Sequence, residues 1–399
     1  MKQCIVYIGD FDFRNENVQS HLVINNSKIF NRLGYDVFFI GIDRNNTNFH
    51  YIEEIQSTDA YLELPNTLSF KGLFKCGTII RKIIFQLDEL KRNNEISHVI
   101  TYQSPTFASA LKRIAVWCKN NGIKYLVNCA DLPGFDAQPF IKRVAMKCNW
   151  NRIHKYNNKY ADGIVAVSRY IDDFYHKDGR KSVIIPPLFD SNSYSVTIKK
   201  RDKRTSFVYA GTPFIKTIGP INPKGMKDRL DLVLDLFIDL AEKGIDYLFT
   251  IVGISLNDYL AAVPRHKTMF ENNNRIIFLG RVSHSETLDL IAESDFSINY
   301  RDSNEMNNAG FSTKIVESIS MGTPVVINSI GDTFHYIQEG IFGFKLSGKE
   351  KQDLALMTSL CLMSEQKRYE LKTLCYSQNP FDCEKFVQLM RDFLQSLEC

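Results

Sequence analysis

The chain reads as an α/β protein built from two Rossmann-like, doubly wound domains, and three observations predict this. Its 399 residues exceed what a single hydrophobic core usually serves. Short apolar runs alternate with helical stretches and end at glycine, as residues 4–8 do at Gly9, which is the pattern of parallel βαβ units. The pattern then starts again beyond a polar stretch, where residues 207–210 run into Gly211.

Composition narrows the classes. Apolar residues make up 44% and charged residues 24%, a soluble globular balance. Net charge is only +4, from 49 basic and 45 acidic side chains, which argues against nucleic acid as a partner. The nine cysteines are odd in number, dispersed and without a CxxC pair, so free thiols in a reducing cytosol are expected, not a disulfide framework or a zinc site. The opening apolar run is too short for a signal peptide, and no run is long enough to span a bilayer, so any membrane contact is expected to be peripheral. The eight histidines include no HExxH, no DxD-type constellation stands out, and the first βα turn lacks GxGxxG, so neither a metal nor a nicotinamide cofactor is expected.

In order, residues 4–8 form a strand, followed by a polar loop with Gly9, Asp10 and Asp12, a helix over 18–33 and a strand over 37–42. Residues 43–70 read as irregular. A helix over 73–92 sets Ile80, Ile83, Ile84, Leu87 and Leu90 on one face, with Arg81 and Lys82 on the other. Its apolar face suits packing on its own sheet, and its basic side also suits an anionic lipid surface. Strands over 98–102 and 125–129 flank a helix over 104–119, and the second strand leads to Asp131, which either caps a helix or faces a substrate. Residues 141–160, with Arg143 among six cations, read as a basic helix followed by a polar tail. Strands over 161–168 and 183–190 close a first domain, residues 1–190.

Residues 191–204 are polar and read as a linker. The second domain, 205–375, carries strands ending at Gly211, at Gly253 and at the turn Gly280-Arg281-Val282-Ser283, then a strand over 295–300 and a polar loop over 301–310 containing Asn307 and Asn308. Residues 376–399 are expected to form a terminal helix, amphipathic enough over 386–397 to pack.

The densest signal lies between Gly310 and Asn328. Gly310, Phe311, Ser312 and Thr313 open a short helix that Gly322 and Pro324 stop, and Val325-Val326-Ile327 reads as a buried strand. The unpaired N–H groups of such a helix start can receive phosphate, with Lys314 in the same turn and Glu317 three residues on along the same face. Spacing alone also fits an ordinary αβ unit with a surface Lys/Glu pair.

This segment resembles the donor-binding segment of retaining, nucleotide-sugar-dependent glycosyltransferases of the GT-B type, in particular glycosyltransferase family 4. The resemblance implies two Rossmann-like domains facing a deep cleft, a terminal helix over 376–399 that crosses back to the first domain, and Glu317 on the nucleotide ribose. It implies Lys227, in the stretch 225–237, and Lys314 as the cations on the donor diphosphate, and Asp131 beside the acceptor hydroxyl. Gly9, Asp10, Gly211, Gly253, Arg281, Val282, Asn307, Asn308, Gly310, Phe311, Ser312 and Thr313 would border the donor. Asp12, Arg81, Lys82 and Arg143 are candidates for the acceptor side.

Three positions depart from the family pattern. Ala309 replaces an acid that usually touches the donor sugar, Ala130 replaces a histidine, and Thr212-Pro213 stands where many relatives have arginine close after the glycine. The expected reaction is metal-independent transfer, with retention, from a UDP-sugar or GDP-sugar to a glycan or polyprenyl-diphosphate-linked acceptor. The nucleotide sugar is a substrate, and no cofactor is implied. The expected setting is lipopolysaccharide or capsule assembly in the cytoplasm, at the inner face of the cytoplasmic membrane. Two other readings stay open: a nucleotide-sugar hydrolase or epimerase of the same fold, and a non-catalytic nucleotide-sugar-binding protein.

Overall fold

The structure, a computed structural model, describes residues 3–9, 11, 13, 18–42, 59–62, 70–102, 108–130, 132, 140–177, 179–198, 204–214, 226–270 and 274–398. The chain divides into two compact units, Met1–Asp190 with Cys383–Cys399, and Ser191–Asp382.

In the first unit, β1 (Gln3–Ile8), β2 (Asp36–Ile42), β3 (Asp59–Leu62), β4 (Glu95–Tyr102), β5 (Lys124–Cys129), β6 (Gly163–Ala166) and β7 (Ser182–Ile184) form one sheet in the order 3-2-1-4-5-6-7. Every pairing is parallel, with Val6 of β1 opposite Phe38 on one side and Val99 on the other. The central strands are buried along nearly their whole length, which is why they read as continuous apolar runs. β3 lies inside the stretch expected to be irregular. Among the described residues it is an edge strand of four residues paired only to β2, and Asp-Ala-Tyr-Leu has no β-branched run to announce it.

Helix Phe70–Asn93 buries Ile80, Ile83 and Leu87 and leaves Arg81 and Lys82 exposed. Helix Phe140–Tyr160 is continuous, correcting the expected polar tail. Trp150, Ile153, His154 and Asn157 are all buried, and that i, i+3, i+4, i+7 spacing keeps one face docked to the end. The terminal segment, a 3-10 turn at Cys383–Phe386 and helix Val387–Ser396, belongs to this unit. Arg32 ties it down by pairing with Asp190 at 3.0 Å and Glu384 at 2.9 Å, and the Cys383 N–H donates to the Phe189 carbonyl at 3.0 Å.

In the second unit, β8 (Ser206–Ala210), β9 (Leu248–Val252), β10 (Ile276–Gly280), β11 (Phe296–Asn299), β12 (Val325–Asn328) and β13 (Gly343–Leu346) form a parallel sheet in the order 10-9-8-11-12-13. Counted from its own first strand this is 3-2-1-4-5-6, the order on which the first unit is also built, so both units are doubly wound. Under it, Phe237 stacks on Phe249 at 4.1 Å between centroids, and Phe207 meets Phe237 edge-on. Residues 301–310, expected as a loop, contain the short helix Glu305–Ala309. Asn304 caps it by accepting from the Asn307 N–H at 2.9 Å, a cap hidden in an asparagine-rich sequence.

Cys4, Cys118, Cys129, Cys148, Cys361, Cys375 and Cys383 carry free thiols. Among the described residues no helix is long and apolar enough to cross a membrane.

Candidate functional site

In open parallel sheets, sites form beyond the carboxyl ends of the strands, where the strand order reverses. In the second unit that point lies between β8 and β11. Each strand there ends at a residue that cannot easily be changed. Gly211, after β8, has φ 133°, and its N–H donates to the Val252 carbonyl at 2.8 Å. Gly253, after β9, has φ 102°, and a Cβ there would stand 2.7 Å from the Gly211 backbone. A Cβ on Gly211 would collide with the side chain of Lys314.

Lys314 reaches this point from the first turn of helix Thr313–Ser320, whose buried face is Ile315, Val316 and Ile319. Its ammonium pairs with Asp228, lies 3.1 Å from the Tyr209 hydroxyl and sits 4.7 Å from that ring's centroid. Asp228 is fully buried. Its Oδ1 accepts from Arg301 Nε at 2.6 Å, and its Oδ2 accepts from the Tyr209 hydroxyl at 2.7 Å as well as from Lys314.

Burial pushes the Asp228 carboxyl up, but Lys314 and then Arg301 outweigh it and hold it below the usual carboxylate range. Burial also pulls the Lys314 ammonium down from the usual lysine range, opposed by Asp228. Tyr209, pushed well up by burial and then by the Asp228 charge, remains a neutral donor. The cluster thus sets two basic side chains and one phenol around a single buried carboxylate.

Glu317, one turn after Lys314, is partly buried and meets His284 Nε2 at 3.2 Å. His284 opens helix His284–Glu293, which Ser283 caps by accepting from the Glu286 N–H at 3.2 Å. Arg281, two residues before that cap, is exposed, and Val282 is half-buried. Lys227 is exposed beside the cluster. Its N–H and that of Asp228 both donate to the Pro213 carbonyl, at 2.7 and 3.1 Å, which fixes the loop end on which they sit.

The segment before the Lys314 helix is braced from within. Asn307 is buried and donates to the Asp302 carbonyl at 2.8 Å, while Asn308 accepts from the Gly331 N–H at 3.1 Å. Phe311 packs edge-on against Tyr336 and Phe381. Ala309 is fully buried at the end of helix Glu305–Ala309. Ser312 stands at the cap position, but its hydroxyl makes no hydrogen bond to the first-turn amides, and Gly310 and Ser312 line a small pocket with Asn299 and Arg301.

The second unit thus brings Gly211, Gly253, Lys314, Ser312, Thr313, Gly310 and Glu317 to one end of its sheet, with Lys227, Arg281 and Val282 on the adjoining turns. In the first unit Gly9 ends β1, and a Cβ there would stand 2.5 Å from the Cβ of Tyr102, so close strand packing accounts for this glycine. Arg143 lies 5.7 Å from the Phe140 ring, on a different helix from Arg81 and Lys82. Asp10, Asp12 and Asp131 lie outside the described residues. The sequence reading missed Asp228, Arg301, Tyr209 and His284. Asp228 is adjacent to Lys227, and a carboxylate opening an apolar helix was its only local signal.

Solved structures share this architecture. A structure of Anabaena Alr3699/HepE in complex with UDP matches with a TM-score of 0.66 at 16% identity, over 98% of this chain and 100% of that one. Sucrose-phosphate synthase from Thermosynechococcus elongatus matches with a TM-score of 0.64 at 12% identity, over 99% of both chains. The pneumococcal O-GlcNAc transferase GtfA, in complex with UDP and GlcNAc, matches with a TM-score of 0.61 at 10% identity, again over 99% of both. At these identities the likeness establishes the fold, which is GT-B with two Rossmann-like domains. Residues 212–362, which contain most of the site just described, match the family Glycosyl transferases group 1. Among curated proteins no sequence matches the chain.

Proposed function

We propose that this protein is a metal-independent retaining glycosyltransferase of the family 4 type. It transfers a sugar from a nucleotide-sugar donor, a UDP-sugar in preference to a GDP-sugar, to a hydroxyl of a lipid-linked or growing glycan. The observation that carries this reading is the placement of Lys314 and Glu317 one turn apart at the end of the second sheet, on a helix whose cap residue Ser312 gives the first turn no side-chain hydrogen bond. That helix lies within the residues that match the glycosyltransferase family. The UDP of the HepE and GtfA complexes supports uridine over guanine.

In this reading Glu317 holds the ribose hydroxyls, and the diphosphate lies against Lys314, Lys227 and the amides of Ser312 and Thr313. As the bond from the anomeric carbon to the diphosphate oxygen breaks, negative charge grows on that oxygen. Fixed cations and amides then stabilise the transition state more than the bound substrate. The acceptor oxygen forms its bond on the face that the diphosphate leaves, and its proton passes to the departing phosphate oxygen. Protein cations take the role a metal has elsewhere, and no cofactor enters. Asp131 orients the acceptor hydroxyl, and Asp12, Arg81, Lys82 and Arg143 belong to the acceptor side, where a polyprenyl-diphosphate carrier or anionic lipid headgroups would meet them. Assembly of lipopolysaccharide or capsule at the inner face of the cytoplasmic membrane is the setting that fits such substrates.

Calorimetric titration with UDP, GDP and their sugars tests the donor site. Binding of one nucleotide by the wild type and its loss in Glu317→Ala are expected; a folded wild type that binds none of them sinks the reading. For the chemistry, Lys227→Ala should cut turnover by about a hundredfold with the fold intact. Donor consumption that ignores every added glycan would favour a hydrolase.

A further inference from the structure

We infer that Arg301 is a third cation of the donor's diphosphate site, beside Lys314 and Lys227, held in register with Lys314 by Asp228. The inference rests on the donor-site reading above and adds to it a phosphate-binding residue that neither the spacing of the sequence nor the family resemblance marks.

Four observations converge on it. Arg301 follows β11 at the strand-order reversal, and its guanidinium and the Lys314 ammonium meet the two oxygens of one carboxylate, so a single buried group positions both. Guanidinium and ammonium groups that bind carboxylate oxygens bind phosphate oxygens by the same charge-assisted hydrogen bonds. Arg301 spends only Nε on Asp228, at 2.6 Å. Among the described residues its Nη1 and Nη2 take no hydrogen bond, so the outer edge of the fork is available to an anion.

The arginine is also held from behind. Its N–H donates to Asn328 Oδ1 at 3.0 Å and its carbonyl accepts from Asn328 Nδ2 at 2.7 Å, so both main-chain groups are fixed by one side chain at the end of β12. Finally, Arg301 lines a pocket with Asn299, Asn307 and Ser312. There, among the described residues, both side-chain amide atoms of Asn299, the Asn307 carbonyl oxygen and the Ser312 hydroxyl are buried without a partner. Buried polar atoms without partners are costly, and a polar ligand or its ordered water would satisfy them. The missing arginine after Gly211 fits the same picture: with Thr212-Pro213 there, the charge is delivered from the end of β11.

The test is how strongly the protein prefers two phosphates to one. Calorimetry would compare UDP with UMP, and GDP with GMP, for the wild type, Arg301→Gln and Arg301→Lys. Losing one charge-assisted contact should weaken diphosphate binding about tenfold to a hundredfold. In Arg301→Gln the preference for UDP over UMP should therefore shrink by at least about tenfold, with UMP binding nearly unchanged. Arg301→Lys keeps a charge on Asp228 but has no fork, and should recover only part of the preference. It also carries the test if the glutamine variant does not fold. An unchanged preference in a folded variant, or equal losses for UMP and UDP, would overturn the inference while leaving the donor site in place. A wild type that binds none of the four nucleotides overturns both readings together.

Discussion

Lys314 and Asp228 are 86 positions apart in sequence, yet the ammonium of one meets the buried carboxylate of the other. Asp228 shares that carboxylate with Arg301, so its removal leaves two cations facing each other in a poorly hydrated site. Breaking a buried ion pair by removing one partner costs about 3–5 kcal/mol. Asp228→Ala is therefore expected to destabilise the second unit by that amount, read as a shift in its urea unfolding midpoint at constant slope. A loss below about 1 kcal/mol would mean that the cluster is solvated and its charges nearly independent.

Glu317 and His284 form a weaker pair, 3.2 Å apart and partly open to solvent. A pair of that exposure contributes at most about 1 kcal/mol. His284→Ala should leave the thermal midpoint in place and reduce UDP affinity no more than about fivefold, because Glu317 keeps its position on the helix. Glu317→Ala, which removes hydrogen bonds to the ribose from a charged group, should cost about tenfold or more. Equal losses in the two variants would reassign the ribose contact to the histidine.

Gly211→Ala tests the packing at the head of the site. The new methyl meets the Lys314 side chain in a backbone region that L-residues rarely occupy, φ 133°. Backbone strain alone costs roughly 1–3 kcal/mol, and Lys314 must also leave Asp228. Gly244→Ala in the same unit is the control, since φ is 73° but nothing stands within 4 Å of the added methyl. Only the first variant should weaken UDP binding. If both lose the same stability and neither affects UDP, Lys314 has another place to go.

These relationships show where the sequence was legible. The two sheets were, because strands buried on both faces are written as apolar runs that end at glycine. β3 was not, because an edge strand of four residues carries no such run. The Lys314 helix could be read from its punctuation, and Lys314 and Glu317 from their spacing. Asp228 and Arg301 could not: they are 73 positions apart, and only the strand order brings them within 2.6 Å. His284 was hidden for the same reason, since it joins the site from the helix after β10, 33 positions before Glu317.

The first unit offers a pH test that needs no ligand. His98, on β4, and His154, on helix Phe140–Tyr160, are buried, each with Nε2 unpartnered among the described residues. Burial lowers both imidazoles to about 4, helped at His98 by the charge of Lys124. In the unfolded chain they return to the ordinary value near 6.5. Between pH 4 and 6.5 the unfolded state therefore binds more protons than the folded one, and stability rises with pH across that window. It is complete above 6.5 and falls as acid is added, by roughly 3 kcal/mol per histidine over the whole window. Both tryptophans of the chain, Trp117 and Trp150, lie in this unit, and the Trp150 ring centroid is 4.3 Å from that of His154, so tryptophan fluorescence reports its unfolding selectively. The urea midpoint should drop between pH 7 and pH 5, and His154→Asn, which keeps a hydrogen-bonding group facing the Tyr175 hydroxyl, should be less stable at pH 7 but lose less on acidification. A midpoint that falls equally in wild type and in the double variant with His98→Asn would move the acid sensitivity to other groups.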